Sequence, residues 1–189
     1  MKKKKPGFTL TEIVIVLAVT VIVLEITTSI FTTGNKVFSD SDVKTTLQIE
    51  EQTIQEKLSD IGMQADQLTI PDTIEENTAI EVSRLVMRSH EEAEGGTYNN
   101  IYWIITVDDS QVSDKAGKVL SIVKARDIDG SDIISSQEKI VKDIKSFKIT
   151  CVKAAGKVSC IKFNIELSKK QGSKEVDYPI DFSTAFRNS

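Results

Sequence analysis

Histidine and cysteine, which supply many metal ligands and catalytic groups in proteins, are scarce in this chain. It has one histidine and two cysteines in 189 residues. The histidine, His90, lies in the polar stretch Arg88-Ser-His-Glu-Glu, and we interpret it as a solvated loop side chain. The two cysteines have the wrong number and spacing for a structural zinc site. No cysteine lies near the histidine in sequence, and nothing in the chain points to a nucleophile and a base that meet in the fold, so we expect a protein that is not an enzyme.

A secretory cleavage site is also missing from its usual place. Four lysines at positions 2–5 precede an apolar run, residues 13–24, in which Thr20 is the only polar residue. Secretory signals carry a small-residue cleavage site after the apolar run. Here the only candidate junction, Gly7-Phe8, lies before it. Cleavage there would remove the lysines and leave the apolar segment at the mature N-terminus.

The apolar segment is long enough for a membrane span only if two carboxylates are tolerated. A bilayer core takes about 20 apolar residues, and residues 8–31 reach that length with Glu12 and Glu25 included. We therefore expect a marginal membrane anchor. The leading lysines predict a cytoplasmic N-terminus, and hence a single-pass membrane protein.

Residues 7–12 read Gly-Phe-Thr-Leu-Thr-Glu, directly after the basic leader and at the start of the apolar segment. This arrangement resembles the class III signal of type IV prepilins and pseudopilins, in which Phe-Thr-Leu-x-Glu follows a glycine. The resemblance implies that a prepilin peptidase cleaves between Gly7 and Phe8 and methylates the new Phe8 amine. It also implies an inner-membrane assembly platform, other pilin or pseudopilin subunits as partners, and a final place in a surface filament.

Glu12 is the carboxylate at the start of the apolar segment. Such a group costs about 3 kcal/mol on insertion scales and usually has a partner. The resemblance implies that Glu12 pairs with the charged Phe8 amine of a neighbouring subunit and so registers the two subunits. The alternative is a carboxylate near the cytoplasmic interface that reaches water.

A softer resemblance lies in the second half of the chain. Residues 140–149 and the end, residues 178–188, are similar to PilW-type minor pilins and J-type pseudopilins, which implies a priming or tip role. Glu25 and the lack of a proline within residues 8–31 depart from the pattern of major pilins. The alternatives are a major pilin, an adhesin presented by a filament, and a signal-anchored surface protein that is never cleaved.

Hydrophobic spacing predicts how the rest of the chain is organised. Beyond a weak point at Gly34, apolar residues recur at helical spacing and indicate one buried stripe: Val43, Leu47, Ile54, Leu58, Ile61, Ala65 and Leu68. Pro71 should stop this helix. We predict a leader at residues 1–7, a transmembrane helix at 8–31, its amphipathic continuation at 32–70, and a β-rich domain at 71–189.

The β-rich domain is predicted from short β-branched segments. They lie at residues 79–87, 101–107, 119–125, 144–152, 158–167 and 176–182. A long helix followed only by strands predicts an α+β class, with the helix on an antiparallel sheet. This agrees with the pilin fold that the resemblance implies.

The cysteines flank a predicted hairpin. If Ala155 and Gly156 form the tip, Ala154 pairs with Lys157 and Cys151 lies directly opposite Cys160. Cross-strand neighbours at such a site approach the distance that a disulfide needs. The alternatives are two reduced thiols, or a bulge that shifts the register.

Charge and aspartate content bear on cofactors and nucleic acids. The net charge is −4, and removal of the four leader lysines leaves 20 basic against 28 acidic side chains. An acidic surface does not neutralise the phosphates of DNA, so we expect no direct binding of nucleic acid. We also expect no cofactor. Asp127, Asp129 and Asp132 form a weak calcium candidate that lacks the EF-hand order, and turn chemistry explains them equally well.

Overall fold

The computed structural model describes residues 8–69, 76–92, 96, 98–109, 117–154, 157–171 and 174–186. Gly7 and Pro71 lie outside this set. The chain divides into two compact units, residues 1–44 and 45–189. Within the described residues the elements are α1 (Leu10–Gln64), β1 (Ala65–Thr69), β2 (Ala79–Glu81), β3 (Arg84–Glu92), β4 (Tyr98–Asp109), β5 (Lys118–Ala125), β6 (Glu138–Ala154), β7 (Lys157–Gln171) and β8 (Lys174–Ala185).

In the first unit, α1 is an apolar helix that continues through Gly34 without a break. It is long and apolar enough to cross a membrane, with a mean hydropathy of 2.6 over its best window and no part of that window buried. Threonine hydroxyls of this helix donate hydrogen bonds to backbone carbonyls four residues earlier. Thr20 Oγ1 donates to Val16 O and Thr27 Oγ1 donates to Val23 O, each at 2.8 Å. These hydroxyls are therefore satisfied without water, as a bilayer requires.

In the second unit, the end of α1 buries the predicted apolar stripe. Leu47, Ile54 and Leu58 are fully buried and Ile61 nearly so. The helix ends at Gln64, however, and the predicted continuation to residue 70 is wrong because residues 65–69 form β1.

The strands form one antiparallel sheet, so the α+β class is confirmed. Their order is β1-β3-β4-β5-β6-β7-β8, and β2 pairs with β6. The predicted strand at residues 79–87 is split in two, because β2 pairs with the second half of β6 whereas β3 pairs with β4. Strand β6 thus borders β5 along its first half and β2 along its second.

Strand β6 changes neighbours at a backbone irregularity. Asp143 has a positive φ of 65°, and an added Cβ on Gly117 would stand 2.8 Å from its Cα. Only glycine fits at position 117 for this reason. The irregularity lies where the pairing of β5 with β6 shifts register.

The core of the second unit lies between α1 and alternate residues of the sheet. Its largest members include Phe147, Phe163, Leu47, Ile54 and Leu58. Two contacts hold the helix on β8: Tyr178 Oη donates to Glu51 Oε2 at 2.8 Å, and Gly62 lies against the side chain of Thr184. A smaller cluster of Val86, Ile104 and Ala125 packs beneath the loop that contains Gly130, because Gly130 approaches the Ile104 side chain closely.

Candidate functional site

The start of α1 is built as a capping box around Glu12. Glu12 Oε2 accepts hydrogen bonds from Thr9 N at 2.9 Å and from Thr9 Oγ1 at 2.8 Å, while Glu12 N donates to Thr9 Oγ1 at 3.3 Å. This reciprocal pattern is the Thr-x-x-Glu capping box, in which two otherwise unpaired backbone donors are satisfied. Thr9 is a residue that the sequence analysis missed, although its spacing from Glu12 is the signal for it.

The capping box sets where the helix begins relative to the predicted cleavage junction. The helix starts at Leu10, so Phe8 and Thr9 precede it, and Phe8 is 86% exposed. Gly7 lies outside the described residues, and cleavage and methylation remain predictions. All three bonds of the box use Glu12 Oε2 or its backbone, so Oε1 is left to accept a further donor.

The helix that follows is apolar on every side up to Leu24 and carries exposed apolar side chains beyond it. Between residues 8 and 38, every large apolar side chain is at least 48% exposed. A helix of this composition is normally buried all round, and the exposed surface far exceeds the patches that soluble proteins carry. Lipid or other protein chains must cover it.

Glu25 interrupts this apolar surface. Its side chain is exposed on the helix, between Leu24 and Ile26. In the part of the chain that the structure describes, Glu25 makes no hydrogen bond or ion pair. It thus differs from Glu12, whose carboxylate has partners within its own chain.

The two cysteines do not face each other. Cys151 pairs with Ile161 and Cys160 with Val152, since Ser159 is an extra residue in β7. Directly paired residues share a face and successive residues alternate, so the two thiols lie on opposite faces of the sheet. Both are free; Cys151 is buried and Cys160 half-buried. The predicted pairing of Cys151 with Cys160 is therefore wrong in register.

The bulge at Ser159 has identifiable causes. Ser159 O accepts a hydrogen bond from Phe186 N at 2.9 Å, and Ser159 Oγ donates to Val152 O at 3.2 Å. These bonds hold the extra residue out of the ladder. Burial raises the pKa of the Cys151 thiol, which keeps it protonated and unreactive at neutral pH.

Asp127 organises a turn with its carboxylate. The carboxylate accepts hydrogen bonds from the Ser131 hydroxyl and from the backbone N–H groups of Gly130, Ser131 and Asp132. These donors, the Ser131 hydroxyl first, lower the pKa of Asp127. Asp132 in turn contacts Arg126 at 3.4 Å. The four hydrogen bonds to Asp127 are those expected of an Asp-organised turn. Among the described residues no group of three or more His, Cys, Asp or Glu side chains is placed to hold a metal ion.

The sequence was interpreted to place His90 in a solvated loop. In the structure, His90 lies on a strand instead. It belongs to β3, and its Nε2 is 3.1 Å from Asp66 Oδ2. Arg88 donates to the same carboxylate through Nη2 at 2.6 Å and Nε at 3.1 Å. The Arg88 hydrogen bonds hold the pKa of Asp66 below its usual value. This cluster attaches β1 to β3 and explains why residues 65–69 leave the helix.

No protein-family model, curated protein or solved structure matches this chain. The family proposal below therefore rests on residues 7–12 and on the fold described above.

Proposed function

We propose that this chain is a pilin-type subunit, inserted in the membrane as a prepilin, cleaved after Gly7, methylated at Phe8 and assembled into a type IV filament. The observation that carries the proposal is the order of parts at the N-terminus. A basic leader and a Gly-Phe junction stand directly before an exposed helix whose first part, as far as Leu24, is apolar on every side. The remainder of the chain is a separately packed unit of helix and antiparallel sheet.

The membrane stage follows from charge and hydrogen bonding. The lysines at positions 2–5 hold the leader on the cytoplasmic side. Within the helix, the hydroxyls of Thr20, Thr27 and Thr28 donate to carbonyls four residues back. Removal of the leader deletes four positive charges from the end that anchors the helix, and this favours its departure from the bilayer.

The filament stage supplies a second environment for the same surface. Helices of neighbouring subunits would cover the apolar side chains that lipid covers before assembly. Glu12 has hydrogen-bond partners even before assembly, because Thr9 of the same chain donates to Oε2 in the isolated subunit. The free Oε1 suits the role that the resemblance gives Glu12, which is to pair with the Phe8 amine of a neighbour.

The finer assignment is a minor pilin or a pseudopilin. Glu25 supports it, since an unpaired carboxylate in the middle of a helix bundle restricts which neighbours can pack there. The missing proline within residues 8–31 also departs from the pattern of major pilins. A major pilin is the alternative within the same family.

Analysis of the mature N-terminus tests the proposal. The full chain is expressed in cells that have a prepilin peptidase, and intact mass and N-terminal peptides are measured in membrane and sheared-surface fractions. We expect a chain that begins with N-methylated Phe8 and reaches the sheared fraction. Low abundance there supports a minor subunit, and high abundance supports a major one.

Two glycine variants make this test specific. Gly7→Leu should abolish cleavage and keep the protein in the membrane. Gly34→Leu is the matched control, because a Cβ added at Gly34 meets nothing within 4 Å and the junction is intact. A wild-type chain that keeps its lysines beside an active peptidase would contradict the proposal and leave a signal-anchored surface protein.

A further inference from the structure

A polar stripe runs along the exposed helix above its apolar first half. Successive residues are about 100° apart around a helix, so residues at spacings of three, four and seven share a face. The members fall within about 120° of one another: Glu25, Thr28, Ser29, Thr32, Lys36 and Asp40. The opposite side of the same turns carries Ile30, Phe31 and Phe38, which are all exposed.

Two opposite charges in this polar stripe have no partner in the isolated chain. Glu25 and Lys36 are the only charged residues between Glu12 and Asp40 in the sequence. Both are exposed on the helix, and neither makes an ion pair or hydrogen bond within the described residues. Lys36 follows Glu25 by eleven residues, which places it about 16 Å farther along the axis and about 20° away around it.

We propose that the polar stripe is a contact surface for a second copy of this chain, displaced along the helix axis by about 16 Å. At that displacement Glu25 of one copy lies beside Lys36 of the other. The same displacement brings the Ser29 hydroxyl of the first copy level with the Asp40 carboxylate of the second. Complementary charge is thus the reason that a second copy of this chain fits the polar stripe.

The alternative arrangement of two copies is unfavourable. In register, Glu25 would face Glu25, and two like charges in a poorly hydrated bundle repel each other. The displaced contact uses different residues on the two copies, so it is heterologous and does not close into a dimer. Such a contact can repeat along a filament.

This inference rests on the proposed filament function, and it asks only that two copies be adjacent. It gives Glu25 a counter-ion outside its own chain, separate from the pairing of Glu12 with Phe8 that the resemblance implies. A low-copy subunit satisfies it with two neighbouring copies, and an abundant subunit with many.

Site-directed cross-linking tests the register of the contact. Two full-length copies with tags of different size are co-expressed, one with Ser29→Cys and the other with Asp40→Cys, so that both copies keep Glu25 and Lys36. Both copies also carry Cys160→Ser, which removes the half-buried native thiol; Cys151 is buried. After oxidation in native membranes and in sheared fractions, the 29–40 heterodimer should exceed the 29–29 and 40–40 products by about ten-fold. When Ser41→Cys is used in place of Asp40→Cys, this excess should be lost, because residue 41 points about 100° away from residue 40.

Charge exchange tests the cause of the contact. Glu25→Lys and Lys36→Glu should each lower co-purification of the two tagged copies by about five- to ten-fold, and the double variant should restore it to within about two-fold. Equal yields of all cross-links, dominance of the 29–29 product, or no rescue by the double variant would overturn the proposal.

The fate of the leader, measured in the same samples, separates this inference from the proposed function. Cleaved, sheared protein without the 29–40 product overturns the contact and leaves the pilin proposal standing. The 29–40 product in cells that have an active peptidase but leave the leader intact supports the contact and overturns the pilin proposal.

Discussion

Two stretches of one helix differ in whether their apolar side chains are exposed or buried. Between residues 8 and 38 every large apolar side chain is exposed, whereas between residues 45 and 64 Leu47, Ile54, Leu58 and Ile61 are buried. The first stretch is apolar all round as far as Leu24 and largely apolar beyond it, whereas the second has one apolar stripe on a polar helix. Only the second can be completed by its own sheet. The first is stable only in a bilayer or among other chains.

Helix propensity does not separate the two stretches, since both are helical. What separates them is the partner that each pattern requires. The stretch with one apolar stripe requires a sheet, which the same unit supplies. The exposed apolar stretch requires lipid or other chains, which the isolated chain does not contain. Its function is therefore to be sought in that exposed stretch.

Matched leucine truncations should give the largest difference between the stretches. Leu58 is fully buried and Leu17 is 60% exposed. Leu58→Ala should lower the free energy of unfolding of the sheet unit by about 2–5 kcal/mol, because it leaves a cavity. Leu17→Ala should leave that quantity unchanged. Urea unfolding of the full chain in detergent, followed by fluorescence of the single tryptophan, Trp103 on β4, measures both. Equal shifts would contradict the comparison.

The two helical glycines give the next largest contrast. A Cβ on Gly62 would stand 2.6 Å from Thr184 Oγ1, whereas a Cβ on Gly34 meets nothing within 4 Å. Gly62→Ala should therefore destabilise the sheet unit by about 1–3 kcal/mol through overpacking. Gly34→Ala should stabilise the exposed helix by up to about 1 kcal/mol. Trp103 fluorescence reports the first change and amide hydrogen exchange near residue 34 the second; a harmless Gly62→Ala would mean that β8 lies farther from the helix.

Sequence reasoning succeeded where a pattern is local and repeated. The stripe of Leu47, Ile54, Leu58 and Ile61 was predicted from spacing and is confirmed by burial. The α+β class and the positions of β4 and β5 followed from runs of β-branched residues. Thr9 was equally visible, because a Thr three residues before a Glu at a helix start is a local signal.

It failed where a distant residue decides the outcome. Ala65 and Leu68 continue the helical spacing, yet they lie in a strand. This strand, β1, pairs with β3, and its Asp66 accepts a hydrogen bond from Arg88. The register of the cysteines depends on the N–H of Phe186, which belongs to the end of the chain and not to the hairpin. His90 gains its partner only when β1 pairs with β3. None of these contacts has a periodic signature.

The ion pair that ends the packed helix should give a smaller, pH-dependent effect. Because Arg88 depresses the pKa of Asp66 in the folded state, the pair contributes stability above the unfolded pKa near 3.8 and loses it as pH falls through the folded value. Asp66→Asn should lower stability at pH 7 by about 1–2 kcal/mol and flatten the acid limb of the stability curve.

Asp177→Asn is the control for this pair. Asp177 also has a lowered pKa, held by Lys145 at 2.7 Å, but its side chain is 42% exposed against 13% for Asp66. Solvent screening should make the effect of Asp177→Asn on stability much smaller than that of Asp66→Asn. Urea unfolding at pH 3 to 7 compares the two variants, and an equal effect at both sites would show that the Asp66 cluster is an ordinary surface pair.

Loss of the capping box should give the smallest effect, confined to the first turn of the exposed helix. Thr9→Val removes the hydroxyl that bonds both Glu12 N and Glu12 Oε2, at a cost of about 1 kcal/mol, or about five-fold faster amide exchange at Glu12. Thr20→Val is the control, since the Thr20 hydroxyl only donates to Val16 O, and we expect less than about a two-fold change there. Stability of the sheet unit should not change in either variant. If Thr9→Val instead altered Trp103 unfolding, the two stretches of the helix would not be the independent regions that their exposure indicates.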